Sequence, residues 1–103
     1  MRPKDIPGFR DAILATHGVD SLWRDTVPVK EVFHGQTAWE GDVEIFELID
    51  HPKAKRCYAW RYLDGKTWRY TAVLEIPPVD SAETAVKVAI AASAKVQRHP
   101  RAT

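Results

Sequence analysis

The chain has 103 residues, of which 45% are hydrophobic and 28% charged, and its formal net charge is +1. These values are typical of one folded domain and exclude an intrinsically disordered chain. No stretch approaches the roughly 20 apolar residues of a membrane span, and the first residues lack the apolar run of a signal peptide. The single cysteine, Cys57, cannot form an internal disulfide. We therefore expect one cytoplasmic domain, residues 1–103, without membrane association.

The N-terminal segment has the pattern of an amphipathic helix. Asp5 has the position of an N-cap, Pro7 falls in the first turn, and Gly18 provides a C-terminal stop. Between them, apolar residues recur at helical spacing. The pattern predicts a helix that ends near His17.

From about Leu22 the apolar period changes to two, which predicts a β-strand that ends at the turn-forming residues 34–36. A three-residue loop there would place Val27 opposite Val43. It would also place Lys30 opposite Glu40, as a favourable cross-strand ion pair. These pairs predict a first β-hairpin.

The second strand is predicted from about Thr37 to Ile49. Its apolar residues change sides between Ile45 and Phe46, which we interpret as a β-bulge. His51 precedes a proline, and proline disfavours regular structure before it, so the strand ends there. A basic connection then leads to the third strand.

Residues 56–76 predict a second β-hairpin, with Asp64-Gly65 as its two-residue turn. Alternation along the strands separates the side chains onto two faces. The predicted core face carries Cys57, Ala59, Trp68, Tyr70, Ala72, Leu74 and Ile76. The predicted solvent face carries Arg56, Tyr58, Trp60, Tyr62, Thr67, Arg69 and Thr71.

The C-terminal segment predicts a second helix. Asp80 and Glu83 resemble a capping box, and the alanine-rich run that follows favours a helix from about Ser81 to Gln97. Residues 98–103 are predicted to be a flexible tail. The order α-β-β-β-β-α predicts an α+β fold in which a four-stranded antiparallel meander carries both helices on one face.

The other sheet face would then be open, and it is the candidate binding surface. Its aromatic rings can stack on a ligand, and its cations can contact acidic groups. The candidate binding residues are Tyr58, Trp60, Tyr62, Arg69, Arg56, Lys53 and Lys55. We predict an interaction domain whose partner is another protein or a second copy of the chain. A face on which the aromatic rings and Arg69 merely cover one another is the alternative interpretation.

The run from Arg56 to Trp60 is similar to part of the RNP1 pattern of RNA-recognition motifs. It has the basic first residue, aromatic third and fifth residues, and a small residue between them. It departs from that pattern at Cys57, where the motif has glycine. The resemblance implies weak binding of single-stranded RNA by the same face, which is the second hypothesis.

A third hypothesis is a hydrolase or metal-dependent site around Glu40, Asp42 and Glu44, which share one strand face, with His34 nearby. Surface ion pairs with the basic connection are the preferred explanation of these carboxylates. The histidines and Cys57 lack the spacing of metal ligands, and no phosphate-binding glycine loop occurs. We therefore expect a binding protein rather than an enzyme, without cofactor or metal.

Overall fold

The computed structural model describes residues 5–98, apart from the side chains of Phe33 and of residues 93–98. The elements, in chain order, are α1 (Ile6–His17), β1 (Ser21–Phe33), β2 (Gln36–Leu48), β3 (Arg56–Asp64), β4 (Thr67–Leu74) and α2 (Ala82–Arg98). The strands form one antiparallel sheet in the order β1-β2-β3-β4. The predicted fold class and element order are confirmed. The first residue of the predicted tail, 98–103, is the last residue of α2, and the rest of the tail lies outside the described residues.

Helix α1 has the predicted limits. Asp5 caps it, because Oδ1 accepts a hydrogen bond from the Gly8 N–H at 3.2 Å. Gly18 ends it in the left-handed conformation, with φ of +75°, which residues with a side chain rarely adopt. His17 Nε2 donates to the Ala72 carbonyl oxygen at 2.9 Å and so ties the end of α1 to β4. Among the described residues, no helix combines the length and apolar content that crossing a membrane requires.

Helix α2 begins one residue later than the sequence suggested. The reciprocal cap joins Ser81 and Thr84: the Thr84 N–H donates to Ser81 Oγ at 3.2 Å, and the Ser81 N–H donates to Thr84 Oγ1 at 3.0 Å. The predicted capping pair of Asp80 and Glu83 is therefore displaced by one position. The geometry of a capping box is nevertheless present, with threonine in the place of the usual glutamate.

The β1–β2 hairpin has the predicted register in its central part, with Val27 opposite Val43 and Lys30 opposite Glu40. Its turn has two residues rather than three: His34 and Gly35, with φ of +54° and +75°. Positive φ at both central positions is typical of a type I′ turn. A register shift after Glu31 compensates for the shorter loop.

The β3–β4 hairpin turns at Gly65-Lys66 and not at Asp64-Gly65, since Asp64 pairs with Thr67. Gly65, with φ of +65°, then occupies the first central position, as glycine does in type II′ turns. Every cross-strand partner shifts by two residues, so the predicted separation into two faces is preserved. Arg69 consequently lies opposite Tyr62 rather than Trp60.

The two helices cover opposite faces of the sheet, so the prediction that both pack on one face is wrong. Helix α1 packs, through Phe9 and Ile13, on the face that carries Cys57 and Ala59. Helix α2 packs on the other face, which carries Tyr58 and Trp60; its contributions are Ala82, Ala85 and Val86. Both faces of β3 are thus buried over residues 57–60, a pattern that differs from the apolar-polar alternation of a strand with one solvated face.

The change of sides along β2 reflects this double cover and not a bulge in that strand. Val43 and Ile45 belong to the cluster under α2, whereas Phe46 and Leu48 belong to the cluster under α1. The bulge lies in the partner strand, where the register shifts at Arg24. The apolar pattern of β2 therefore marks the point where cover passes from one helix to the other.

Candidate partner-binding surface

The centre of the predicted binding face is buried. Tyr58 is 2% exposed and Trp60 is 5% exposed, because α2 lies directly on them. The prediction that these two rings face solvent is therefore wrong. The indole of Trp60 contacts that of Trp39, with ring centroids 5.7 Å apart. These rings belong to the hydrophobic core.

The hydroxyl of Tyr58 has an internal partner, since it donates a hydrogen bond to Glu75 Oε2. Burial raises the pKa of Tyr58 to about 12, and the hydrogen bond and charge of Glu75 act in the same direction. The neighbouring Arg56 lowers this pKa and offsets part of the rise. Tyr58 is consequently a neutral structural group at physiological pH.

Two of the predicted binding residues, Tyr62 and Arg69, do lie at the surface, near the turn of the β3–β4 hairpin. Tyr62 is 49% exposed, and it is joined there by Leu63 at 56% and Trp68 at 46%. The buried clusters end at Trp60 in β3 and Tyr70 in β4, so the strands continue past the helix-covered region. We name the exposed end formed by Tyr62, Leu63, Trp68 and the flanking cations Arg61, Lys66 and Arg69 the distal surface.

Trp68 was predicted to lie in the core, and its exposure is a further correction. Its ring is covered on one side by Arg61, whose Cζ lies 3.9 Å from the ring centroid. A guanidinium in this position is attracted to the face of an indole. The exposure of Trp68 could have been predicted from its position in the sequence. It is only three residues from the turn at Gly65, beyond the reach of a helix packed on the centre of the sheet.

A polar tether connects the distal surface to the beginning of α1. Asp5 Oδ2 accepts hydrogen bonds from Arg61 Nη1, at 3.0 Å, and from the Tyr70 hydroxyl. Gly8 makes room for this group, since a Cβ there would lie 2.5 Å from the Tyr70 hydroxyl oxygen and still closer to Asp5 Oδ2. The N-cap of α1 therefore also positions Arg61 over Trp68.

The distal surface is positively charged. Arg69 Nε lies 3.3 Å from Asp64 Oδ2, in an exposed ion pair, and Arg61 pairs with Asp5 as described above. Lys66 forms no ion pair within the described part of the chain. Residues 61–69 thus carry three cations and one carboxylate, Asp64.

The remaining predicted binding residues, Lys53, Lys55 and Arg56, lie at the opposite end of β3 from the distal surface. All three are exposed. The preceding His51 shapes this connection, because its Nδ1 accepts hydrogen bonds at 3.0 Å from the N–H groups of Lys53 and Ala54. The structure therefore separates the predicted set into a buried pair, a distal group and a basic group at the other end.

The acidic residues of β2 do not form one site. Glu44 is 5% exposed, and its Oε1 accepts hydrogen bonds from Trp23 Nε1 at 3.0 Å and from Thr26 Oγ1 at 2.5 Å. Glu40 and Asp42 are exposed further along the strand. Within residues 5–98, no three side chains of the types that bind metals come together as a cluster. Glu44 is thus a satisfied buried carboxylate.

The arrangement offers two exposed groups of side chains, at opposite ends of the sheet, and a closed core between them. Aromatic and cationic groups at the distal surface are suited to contact with another molecule. Comparison with known proteins identifies no relationship: no family model matches the chain, and no curated protein or solved structure is significantly similar to it. Any functional assignment therefore depends on the chain's own geometry.

Proposed function

We propose that this chain is a non-catalytic interaction domain that binds a protein partner through the distal surface. One observation carries the proposal: Tyr62, Leu63 and Trp68 are each about half exposed at the end of a single hairpin. Isolated exposed apolar residues are ordinary, but a group of them with aromatic rings and arginine is typical of protein interfaces. The unchanged part of the predicted site, Tyr62 and Arg69, belongs to this group.

The shape of the surface favours a groove on the partner. Leu63 lies opposite Trp68, on the face that α1 covers, whereas Tyr62 lies opposite Arg69, on the face that α2 covers. Large side chains therefore project from both sides of one hairpin end. A partner that receives the hairpin end in a groove would bury both sets of side chains.

The charge of the surface favours an acidic border around that groove. Lys66 has no ion pair in the described part of the chain, and the Arg69 pair with Asp64 is exposed to solvent. Carboxylates on the partner would complement these cations, which increases the association rate and the specificity. The same charges disfavour a two-fold dimer through this surface, because such a dimer places identical cationic patches against each other.

Weak binding of single-stranded nucleic acid is the second candidate, because exposed rings and cations occur together. Tyr62 and Trp68 lie on opposite faces of the hairpin, so consecutive bases of one strand cannot stack on both. The protein partner is therefore preferred. A cytoplasmic site of action remains part of the proposal, since Cys57 is a buried free thiol.

The test compares two double variants, each of which removes two large apolar side chains that are about half exposed. Leu63→Ala with Trp68→Ala removes the distal apolar groups, whereas Leu14→Ala with Leu22→Ala removes two side chains of similar exposure elsewhere. The immobilised wild-type chain is used to capture proteins from an extract of its native cells, followed by quantitative mass spectrometry. We expect a specific protein to be retained by the wild type and the control, and lost at least about tenfold by the distal variant.

Three further outcomes separate the alternatives, provided that circular dichroism shows every variant folded. Equal capture by both double variants would exclude the distal surface. A wild-type dimer by light scattering, converted to a monomer by the distal variant, would replace the partner with a second copy. Binding of a mixed-sequence oligonucleotide that weakens steeply with salt would instead support the nucleic-acid candidate.

A further inference from the structure

We propose that the end of the sheet opposite the distal surface binds the phosphate group of a small ligand. A hollow of about 490 Å³ lies there. This volume falls within the range of roughly 300–1,000 Å³ that is usual for small-molecule sites. The hollow is lined by Arg24, Asp25, Ile45, Glu47, Lys55 and Arg56.

The bulge in β1 brings two charged residues, Arg24 and Asp25, to this hollow. Trp23 hydrogen-bonds to Glu44 beside the cluster under α1, and Asp25 lies opposite Ile45, which packs under α2. In a regular strand the two neighbours of Arg24 would share one face, and only Arg24 would lie on the face of Ile45 and Glu47. The extra residue at the register shift instead allows Asp25 to join Arg24 on the side of the hollow. Bulges commonly redirect a side chain in this way.

The two carboxylates of the hollow already have internal donors. Glu47 Oε1 accepts hydrogen bonds from Arg24, from Nε at 2.7 Å and also from Nη2. Asp25 Oδ1 accepts a hydrogen bond from the Thr26 N–H at 2.8 Å. By contrast, Lys55 and Arg56 form no ion pair within the described residues, although Arg56 also hydrogen-bonds to the Tyr58 hydroxyl. The Lys55 ammonium and the remaining guanidinium N–H groups of Arg56 are therefore available to a ligand.

The backbone at both of these cations is fixed by sheet hydrogen bonds. The Lys55 carbonyl oxygen accepts from the Leu48 N–H at 2.8 Å, and the Arg56 carbonyl oxygen accepts from the Glu75 N–H at 2.9 Å. Arg56 also pairs with Glu47 in the β2–β3 register. Arg56 is the first residue of β3 and Lys55 directly precedes it. Side chains whose backbone is bonded to a sheet are positioned more accurately than side chains on free loops, which lowers the cost of ordering them around a ligand.

The donor set indicates the chemistry of the ligand. Lysine and arginine side chains donate hydrogen bonds and accept none, so Lys55 and Arg56 require an acceptor. A phosphate offers several charged oxygens to a guanidinium fork and a nearby ammonium. The carboxylates of Asp25 and Glu47 would repel a long polyanion, which favours a compact phosphate over a nucleic-acid backbone. Ile45 supplies an apolar contact for the remainder of the ligand.

The test is a titration of the ¹⁵N-labelled full chain followed by NMR. The probes are inorganic phosphate and phenyl phosphate, with sodium chloride at equal ionic strength as the reference. We expect saturable shifts of the amides in the segments that line the hollow. Arg56→Gln should weaken phosphate binding about tenfold, as expected for the loss of a charge-assisted hydrogen bond, whereas the exposed Arg10→Gln on α1 should leave it unchanged.

Each outcome decides a specific point. Tighter binding of phenyl phosphate than of inorganic phosphate would identify a phosphate monoester as the ligand class, and equal binding would indicate free phosphate. Shifts that remain linear and match those caused by chloride, or an affinity unaffected by Arg56→Gln, would overturn the proposal. The distal variant Leu63→Ala with Trp68→Ala should bind phosphate normally, so the two proposed sites succeed or fail independently.

Discussion

The two helices pack against the sheet in opposite ways. Helix α1 supplies large side chains, Phe9 and Ile13, and meets small ones on β3, Cys57 and Ala59. The aromatic ring of Phe9 also lies edge-on to Tyr70, with centroids 5.3 Å apart. On this face the helix fills the space between itself and the sheet.

On the other face, α2 supplies small side chains such as Ala82 and Ala85, and β3 supplies the large rings of Tyr58 and Trp60. Here the sheet fills the space, and the helix backbone can approach closely. Both solutions reach the dense packing that protein interiors require. Residues 57–60 of β3 are all buried, so their alternation in size does not separate a core face from a solvent face. It instead indicates which helix covers each face: small residues lie under α1 and large ones under α2.

The strongest test of this contrast compares Trp60 with Tyr62, two residues on the same face of the same strand. Trp60→Ala would leave a cavity under α2 and should lower the free energy of unfolding by about 3–5 kcal/mol. Tyr62→Ala, at the exposed end, should change it by less than about 1 kcal/mol. Urea unfolding followed by circular dichroism measures both; similar losses would contradict the described placement.

The close approach of α2 can be tested by adding volume. Ala85 is fully buried, whereas Ala91 is exposed on the same helix. Ala85→Leu should destabilise the fold by about 1–3 kcal/mol through overpacking, and Ala91→Leu should have an effect within about 0.5 kcal/mol. Thermal unfolding of the two variants provides the comparison. A neutral Ala85→Leu would mean that α2 has room to move outward.

On the α1 face, the tether at Asp5 can be tested through Gly8. Alanine normally favours a helix over glycine by about 1 kcal/mol. Gly8→Ala should nevertheless destabilise the chain by about 1 kcal/mol, because its Cβ would displace the Asp5 carboxylate and the Tyr70 hydroxyl. In a background of Asp5→Ala with Tyr70→Phe, which removes both contacted groups, the same change should become neutral or stabilising. A stabilising Gly8→Ala in the wild-type background would disprove the close approach.

An effect confined to alkaline pH is expected from Tyr58. The pKa of Tyr58 is raised from 10.0 to about 12, so folding favours its protonated form. Its contribution to stability is therefore complete below pH 10 and disappears as the pH rises towards 12. The pKa of Cys57 is also raised by burial, from 9.0 to about 12, so the measurement belongs in a Cys57→Ala background.

In that background, Tyr58→Phe should reduce the loss of stability between pH 10 and 12, as measured by urea unfolding at each pH. Part of the loss should remain, because the hydrogen bond to Asp5 also raises the pKa of Tyr70. Ultraviolet titration of the folded protein should show that the variant lacks a tyrosine with a pKa near 12. An unchanged stability profile, together with an unchanged titration, would show that the hydroxyl is not buried against Glu75.

Local signals predicted the secondary structure well. The cap at Asp5, the stop at Gly18 and the central β1–β2 register depend on neighbouring residues or on cross-strand pairs close to a turn. The separation of the β3–β4 hairpin into two faces was also correct, because a two-residue shift in register preserves side-chain parity.

The face on which α2 packs could not be obtained in the same way. Parity shows that Tyr58 and Trp60 share a face, but it does not show what lies on that face. An antiparallel sheet with one solvated face is common, and an aromatic row suits both a binding surface and a core. The prediction for the exposed Trp68 was wrong for a related reason. Side-chain parity determines the sheet face on which Trp68 lies, but it does not determine how far along the strand a helix covers that face.

The seam between the two hairpins is short. In the described part of the chain, β2 and β3 pair only over residues 44–47 and 56–59, whereas β1–β2 and β3–β4 pair along nearly their full lengths. Each hairpin closes a short loop, so it can form early and by itself at little entropic cost. The few β2–β3 pairs form only when the two helices pack on the two faces of the sheet and hold the hairpins together. We therefore expect the amide hydrogens that bond across the seam to exchange through a partial opening that separates the hairpins, at a lower free energy than the amide hydrogens within either hairpin.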